Sequence, residues 1–416
     1  MSLWKWLSSK LTGKPPRRDV SRLESEDEDQ VSEAVDVSGG PLKPDHRRRA
    51  LRDRRLLPKA QPPVRFGKKK RLMSKAEAQR LFGASMRTRN RTLRDLLPDV
   101  EQLTRYGLPV WKTEEELATA LGLTQRQLWF FALHREKERA AHYVTFAIPK
   151  RGGGERHIMA PKRRLKALQR KLLGLLVEKL PVHEAAHGFR KGRSIKSGAA
   201  LHVGKKLVLK VDLKDFFPTV TFPRVRGLLI AYGYGYPVAT ALALLMTESV
   251  RQPVEVEGKL YHVPVGPRHS VQGAPTSPGL SNALVLRMDR RLTGLARKFG
   301  FVYTRYADDL AFSGDHDHKT GWGLLQRARR IIAEEGFAVH PDKTVLMGSG
   351  RRQSVTGVVV NRTLGRSRQQ RRRLRAALHR RRQAEARLRG QLAFLWMLNP
   401  AQASALWPEE WKKPQS

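Results

Sequence analysis

The sequence contains no cysteine among its 416 residues. Disulfide bridges, a thiolate nucleophile and zinc sites with cysteine ligands are therefore excluded. The sequence also lacks an apolar run long enough to cross a bilayer, and the apolar part of its N-terminal segment is too short for a secretory signal. We therefore expect a cytoplasmic protein.

Acidic residues are scarce relative to basic ones. The chain has 38 Asp and Glu against 81 Lys and Arg, and its formal net charge is +43. A charge excess of this size predicts a polyanionic partner, most simply a nucleic acid. An anionic membrane surface is the weaker alternative, and we expect no membrane partner.

Composition and periodicity divide the chain into four parts. Residues 1–75 combine low hydrophobicity with blocks of like charge, so we expect no packed core there. Residues 76–138 have helical periodicity. Residues 139–361 alternate between strand and helix patterns, with one predicted strand at residues 355–360, and residues 362–416 are helical and strongly basic. This order of elements predicts an α+β fold.

Two adjacent aspartates, Asp308 and Asp309, lie between segments that alternate like β-strands. The pattern predicts a β-hairpin over residues 301–314 with two carboxylates at its tip. Such a pair is common in solvated turns, because Asp accepts hydrogen bonds from its own backbone. It would also suit Mg²⁺, a hard cation that prefers oxygen ligands. The pair alone does not decide between a solvated turn and a metal site.

A third carboxylate, Asp212, ends the strand-like segment LVLKVD. If it joins the hairpin pair, the three carboxylates could hold two Mg²⁺ ions about 3.5–4 Å apart, an arrangement that catalyses in-line phosphoryl transfer. One ion activates the attacking hydroxyl and the other neutralises charge on the leaving pyrophosphate. This chemistry needs Asp rather than Asn, because only a carboxylate offsets the charge of the metal.

Several segments resemble reverse transcriptases. Four of them resemble successive blocks of the palm of that family: VDLKDFFPTV, VQGAPTSPGLSNALVLRMD, YADDLAFSG and GFAVHPDKT. IPKRGGGERHIMAP resembles the finger block, and VHEAAHGFRKGRSI and VTGVVVN resemble bacterial retron enzymes more narrowly. In GAALH, the chain has Gly198 where retron enzymes commonly have the Asn of an Asn-Ala-x-x-His element. The resemblance covers roughly residues 105–400.

The resemblance implies a right-hand polymerase. Fingers and an antiparallel-sheet palm that carries the YADD hairpin would lie in residues 139–361, and a helical, basic thumb in residues 362–416. The implied activity is RNA-directed synthesis of single-stranded DNA from a structured noncoding RNA. Synthesis would start at an internal 2′-hydroxyl, give a branched RNA–DNA product (msDNA) and serve anti-phage defence. The implied partners are the cognate RNA, dNTPs, two Mg²⁺ ions, a separate effector protein and a host RNase H.

Two alternatives stay open, and the second belongs to a different functional class. The first is another bacterial reverse transcriptase, of the group II intron-like or abortive-infection type. The second is a catalytically silent RNA-binding scaffold, although a scaffold has no need of the three aspartates.

The resemblance also assigns roles within the nucleotide and metal site. Asp212, Asp308 and Asp309 would bind the metals, with the backbone carbonyl of Leu213 as a further ligand. The nucleotide-binding set would comprise Arg156, Lys150, Asp215, Phe216, Phe217, Gln272 and Lys343. In this set, Arg156 would grip the triphosphate through two hydrogen bonds, and Lys343 would face the pyrophosphate.

Phe217 would pack under the incoming sugar and exclude a 2′-hydroxyl. Core packing is the alternative explanation for its ring. On an extended chain the neighbouring Phe216 must point the opposite way, so we expect the two rings on opposite sides.

The last predicted set binds RNA: Arg371, Arg372, Arg373, Arg375, Arg380, Arg381 and His202. The arginines lie in one helix that would repel itself without a polyanion, and A-form RNA is recognised by its shape and its phosphates. For His202, which belongs to the GAALH segment, a structural role is the alternative.

Overall fold

The computed structural model describes residues 97–132, 142–149, 155–256, 259–380 and 384–407. The predictions made for residues 1–75, for Lys150 and for Arg381 lie outside the described residues. Within the described ranges, no helix is both long enough and apolar enough to span a bilayer.

The first part of the described chain alternates helices with antiparallel strand pairs. Its elements are α1 (Val100–Arg105), α2 (Glu114–Leu121), α3 (Gln125–Ala132), β1 (Tyr143–Pro149), β2 (Glu155–Pro161), α4 (Arg163–Leu175), a 3₁₀ turn (Val177–Lys179), α5 (Ile195–Ala200), β3 (Leu207–Lys214), α6 (Phe216–Thr219), α7 (Phe222–Ala231), α8 (Tyr236–Met246), β4 (Glu248–Val256) and β5 (Lys259–His269). The apolar faces of α1–α4, α7 and α8 meet in one core, which includes Leu103, Leu128, Leu172 and Leu242.

The second part continues from residue 277 to residue 404. Its elements are α9 (Ser277–Leu284), α10 (Leu286–Lys298), β6 (Val302–Tyr306), β7 (Asp309–Gly314), α11 (His318–Glu334), β8 (Ala338–Val339), a 3₁₀ turn (Pro341–Lys343), β9 (Val345–Gly348), β10 (Ser354–Val355), β11 (Val358–Val359), α12 (Arg368–Arg380), α13 (Glu385–Leu398) and α14 (Pro400–Ser404). The predicted hairpin of residues 301–314 is confirmed by the antiparallel pair β6–β7.

The central sheet has five antiparallel strands in the order β6–β7–β3–β8, with β9 also paired to β3. Both faces of β3 are covered: Leu209 and Val211 pack with α10 and α11, whereas Val208 packs with α5 and β11. Burial on both faces explains the Leu- and Val-rich sequence of this strand. Lys210 and Asp212 share the face of Val208, because side chains alternate along a strand.

The prediction of one strand at residues 355–360 is wrong. The segment forms a tight hairpin between β10 and β11. Thr356 and Gly357 have φ values of 47° and 80°, the left-handed conformations that a two-residue hairpin turn of type I′ requires. Val355 of β10 and Val358 of β11 are buried on either side of the turn. The valines that suggested one continuous strand therefore belong to two short strands.

The C-terminal helices α12, α13 and α14 form a small core of their own. Leu374 of α12 is buried against Leu388, Leu392 and Leu395 of α13. The remaining surface of α12 is largely polar and basic. This helix therefore has one apolar side that anchors it and a broad charged side.

Candidate active site and nucleic-acid interface

The three aspartates predicted to bind metal meet at one end of the central sheet. Strands β3 and β7 place Asp212 directly opposite Asp309. Asp308 lies in the adjoining turn, where its backbone carbonyl accepts the N–H of Leu213 at 2.9 Å. Asp212 is only 7% exposed. The fold thus brings together carboxylates that are far apart in the sequence.

These carboxylates are electrostatically strained. Burial raises the pKa of Asp308 above its usual value, and the negative charges of Asp212 and Asp309 raise it further, while Lys343 opposes the shift. A bound cation would relieve this repulsion. The site is therefore suited to a positively charged ligand.

Two lysines supply positive charge to the site. The Nζ of Lys343 lies 3.0 Å from Oδ1 of Asp212, and the Nζ of Lys210 lies 2.8 Å from Oδ1 of Asp309. Lys343 is 55% exposed, and ion pairs this accessible to water are weak, so a stronger cation can displace it. Sequence reasoning missed Lys210, although its position two residues before Asp212 places both side chains on the same face of β3.

The donors fit a magnesium ion in kind, because all three are carboxylates on adjoining segments. As they stand, no group of three or more His, Asp or Glu side chains within the described ranges is arranged to hold an ion. Asp309 pairs with Lys210 instead. Metal binding would therefore require Lys210 to leave Asp309 and Lys343 to leave Asp212.

A buried ion pair that sequence reasoning missed supports the turn that carries Asp308. Arg305 and Asp289 are both fully buried, with Arg305 Nη2 2.8 Å from Asp289 Oδ2. Arg305 Nη1 donates to Oδ1 of Asn282 at 2.9 Å and to the carbonyl of Ala307 at 3.2 Å. Ala307 has φ 56° and immediately precedes Asp308. The signal in the sequence was Arg305 itself, a charged residue that alternation places on the same inward face of the predicted strand as Tyr303.

We expect Asp289→Asn to destabilise the protein by about 3–5 kcal/mol, because it leaves the Arg305 guanidinium buried without its counter-charge. Urea denaturation of the purified protein measures this. The control is Asp342→Asn, whose side chain is 86% exposed and which should change the free energy of unfolding by less than about 0.5 kcal/mol. Equal effects of the two substitutions would refute the supporting role of the pair.

Strained backbone occurs in and near the turn that carries Asp308 and Asp309. Among the described residues, the non-glycine residues with positive φ are Phe189, Asp215, Ala307 and Thr356. Ala307 lies in the turn itself, Phe189 contacts Tyr306, and Thr356 lines a small cleft together with Lys210, Asp309 and Tyr306. Asp215 follows Asp212 by three residues. Strain of this kind concentrates at functional sites.

The segment after Asp212 differs from the expected extended chain. Asp215, exposed and with φ 49°, turns the backbone into the short helix α6, which begins at Phe216. The ring of Phe216 lies in the core, 5.9 Å from the ring of Phe337. Its predicted nucleotide contact is therefore wrong for the side chain. Phe217 is half-buried, with its ring centroid 5.5 Å from that of Phe216, and keeps an accessible side.

Two further predicted nucleotide-binding residues lie on β2 and on the segment that is hydrogen-bonded to it. Arg156 is exposed on β2. The carbonyl of Gln272 accepts the N–H of Met159, also in β2, at 2.9 Å. A Cβ at Gly273 would lie 2.7 Å from the carbonyl oxygen of Met159, and its φ is 123°, so only glycine allows this approach. The segment of Gln272 is thus fastened to the strand that carries Arg156.

The RNA-binding role predicted for His202 is wrong. Its side chain is fully buried, with Nδ1 2.7 Å from Oγ of Ser313 and Nε2 2.7 Å from Oγ1 of Thr304. Burial lowers the pKa of the imidazole to about 4, so it is neutral at physiological pH. His202 therefore joins β6 to β7 from inside the core.

The neighbouring Gly198 also has a packing reason. A Cβ at this position would lie 3.2 Å from the Cβ of His187, which is 2% exposed. The Nδ1 of His187 is hydrogen-bonded to Ser197 at 2.8 Å. A larger residue at position 198, such as Asn, would require His187 to shift.

Arginines cover the exposed side of α12. Arg372, Arg373, Arg375 and Arg380 are exposed, whereas Arg371 is half-buried and its Nε lacks a hydrogen-bond partner. A cavity of about 420 Å³ lies at the start of the helix. Five arginines contribute to its lining: Arg352, Arg362, Arg366, Arg368 and Arg371. This concentration of guanidinium groups suits phosphates.

We expect replacement of Arg371, Arg372, Arg373 and Arg375 by Gln to weaken binding of a structured RNA and to flatten its salt dependence. Each lost phosphate contact should reduce the slope of log K against log salt concentration by about 0.7–0.9. The control replaces Arg327 and Arg330, on the exposed side of α11. An unchanged slope in the α12 variant, or an equal loss per arginine in the control, would contradict specific contacts.

Comparisons with known proteins agree with this geometry. Residues 148–371 match the family described as "Reverse transcriptase (RNA-dependent DNA polymerase)". The chain is 61% identical to "Retron Mx65 reverse transcriptase" of Myxococcus xanthus, over 91% of this chain and 90% of that protein. It is 47% identical to "Retron Mx162 reverse transcriptase" of the same organism, over 73% and 68%. It is 31% identical to "Retron Ec86 reverse transcriptase" of Escherichia coli, over 67% and 81%.

Proposed function

The chain belongs to the retron reverse transcriptases and is an RNA-directed DNA polymerase, and from this premise we propose that it copies a structured noncoding RNA starting at an internal 2′-hydroxyl of that RNA. The product is a branched RNA–DNA molecule. The observation that carries the catalytic part of the proposal is the convergence of Asp212, Asp308 and Asp309 at one end of the sheet.

The carboxylates act as metal ligands in this proposal. When bound, two Mg²⁺ ions would lower the pKa of the attacking hydroxyl and offset charge on the leaving pyrophosphate. Asp212, Asp308 and Asp309 would hold them, with the carbonyl of Leu213. Lys343 leaves Asp212 and turns to the pyrophosphate, since a partly exposed ammonium group is attracted by the larger negative charge.

The nucleotide lies between β2 and the segment after β3. Arg156 grips the triphosphate. The hydrogen bond between the Gln272 carbonyl and the N–H of Met159 fixes β2, the strand that carries Arg156. Phe217 presents its accessible side to the sugar, while the exposed Asp215 borders the same segment. Lys150, which follows Pro149 in the sequence, is the further candidate for the triphosphate.

The chain forms a right hand in this proposal. Strands β1 and β2 belong to the fingers, the central sheet with the YADD turn forms the palm within residues 139–361, and α12–α14 form the thumb within residues 362–416. The arginines of α12 hold the RNA by its phosphates. A helix anchored by Leu374 on one side and charged on the other suits this task.

Rigid binding of the RNA explains how an internal hydroxyl can serve as the primer. A 2′-hydroxyl is a poor nucleophile in free solution, but fixing it in line with the incoming nucleotide makes the reaction effectively unimolecular. Removal of the copied template falls to a host RNase H. We propose that the product acts in anti-phage defence together with a separate effector protein.

The test isolates DNA from cells that express the protein with its neighbouring noncoding RNA. The DNA is treated with RNase and then with a 2′,5′-debranching enzyme. A ribonucleotide remnant that survives RNase and leaves only after debranching supports the proposal. DNA extended from an ordinary 3′-hydroxyl would instead indicate priming like that of other bacterial reverse transcriptases.

A further inference from the structure

The segment of residues 187–193 passes close to the turn of residues 307–309, which is the catalytic turn of the proposed function. Its start is held by backbone hydrogen bonds to β6 at Arg305. Gly188 passes so close to the turn that a Cβ there would lie 3.0 Å from the backbone nitrogen of Ala307. Asn282 donates to the carbonyl of Gly188 at 2.8 Å. The next residue, Phe189, is therefore fixed relative to the catalytic turn.

Phe189 has a conformation that its own packing does not explain. Its φ is 56°, a left-handed value that strains a bulky residue. Gly192, three residues later, meets the same requirement with glycine at φ 74°. The Phe189 side chain is 50% exposed, so it gains only part of the burial energy that a core phenylalanine gains. The ring thus occupies a strained position while half of it faces solvent.

The surroundings of Phe189 indicate what the exposed side of its ring can bind. Its ring centroid lies 5.9 Å from that of Tyr306, and Tyr306 is paired with Asp309 in the hairpin. Lys191 and Arg193 are exposed in the same segment. Exposed aromatic rings flanked by cations bind single-stranded nucleic acid, because each base stacks on a ring and the phosphates meet positive charge.

We propose that Phe189 is a stacking residue for a nucleobase at the reacting end of the nucleic acid, either in the primer strand or in the template strand. The inference rests on the proposed polymerase site. The fixed backbone of Gly188 sets the ring beside the catalytic turn. Stacking then holds the end of the strand where the carboxylates can act on it. A protein partner is less favoured, because the flanking cations match phosphates.

The decisive variant is Phe189→Gly, because glycine relieves the left-handed strain while it removes the ring. We expect this variant to resist urea at least as well as the wild type, and to bind a defined primer–template about 5- to 100-fold more weakly. Phe189→Ala should bind the primer–template as weakly as Phe189→Gly, and Phe189→Trp should bind it with an affinity close to that of the wild type. Trp322→Ala is the matched control, since Trp322 is a 55% exposed aromatic residue on α11 and should leave binding unchanged.

A 2-aminopurine probe identifies the base. Stacking quenches its fluorescence, so we place it at the primer terminus in one duplex and at the facing template position in another. Quenching in either strand that disappears in Phe189→Gly supports the proposal and names the strand. Wild-type affinity and unchanged quenching in a folded Phe189→Gly would overturn the proposal. Binding by Phe189→Trp as weak as that of Phe189→Ala would overturn it as well. If the wild type itself does not extend the primer, the proposed function fails instead.

Discussion

Asp308→Asn combined with Asp309→Asn should abolish DNA synthesis and leave RNA affinity unchanged within about twofold. The amides cannot offset the charge of Mg²⁺, whereas the predicted RNA contacts lie in α12, in a separate helical cluster. Primer extension with dNTPs measures activity, and a filter-binding assay with the cognate RNA measures affinity. Lys205→Gln, which removes a surface ion pair with Asp315, serves as the control. Loss of RNA affinity in step with activity would contradict this division.

The single variant Asp308→Asn separates loss of chemistry from loss of folding. The pKa of Asp308 is raised in the folded protein, so the folded state holds the proton more tightly than the unfolded state does. The stabilisation from this proton is complete below the unfolded pKa and disappears as the pH rises through the folded pKa. An ionised Asp308 is repelled by Asp212 and Asp309 in the folded protein, whereas the neutral amide of Asp308→Asn is not. In EDTA at neutral pH, Asp308→Asn should therefore have a Tm equal to or a few degrees above that of the wild type.

The opposite shift would show that Asp308 is a structural residue. Magnesium provides a further readout, because a ligand that binds only the folded state raises its stability. The Tm of the wild type should rise with Mg²⁺ concentration, and that of Asp308→Asn should rise less.

The sequence predicts most accurately those parts of the site that depend on local alternation. The hairpin around Asp308 is visible because its strands alternate with period two, and Asp212 is visible because it follows a Leu- and Val-rich run, although β3 continues to Lys214. Their register opposite one another is a property of the folded sheet, set by which side chains of each strand are buried. These features need little information from distant residues.

The errors arise where the environment is set by distant segments. His202 is basic and polar, but β6 and β7 supply buried hydroxyl partners 102 and 111 residues away. Arg305 finds Asp289 on a different element, so neither residue alone identifies the pair. At residues 355–360, the left-handed conformations of Thr356 and Gly357 outweigh the strand propensity of the valines. In each case tertiary packing decides the outcome.

Phe217→Ala should lower the ratio of kcat/KM for a dNTP to kcat/KM for the matching rNTP by about 10- to 200-fold, the discrimination that a small change in pocket volume provides. Asp215 turns the chain into α6, and the half-buried Phe217 in this helix follows Asp212 by only five residues. Removal of the ring opens space for one hydroxyl without touching the carboxylates.

The ratio is informative because it cancels general damage to the enzyme. Phe216→Ala is the matched control: its ring is a core residue, so its loss should cost about 3–5 kcal/mol of stability and reduce both substrates alike. Phe217→Leu should give an intermediate ratio, since part of the volume remains. If Phe217→Ala leaves the ratio unchanged while Phe216→Ala behaves as expected, the ring of Phe217 is a packing residue and the sugar is selected elsewhere in the pocket.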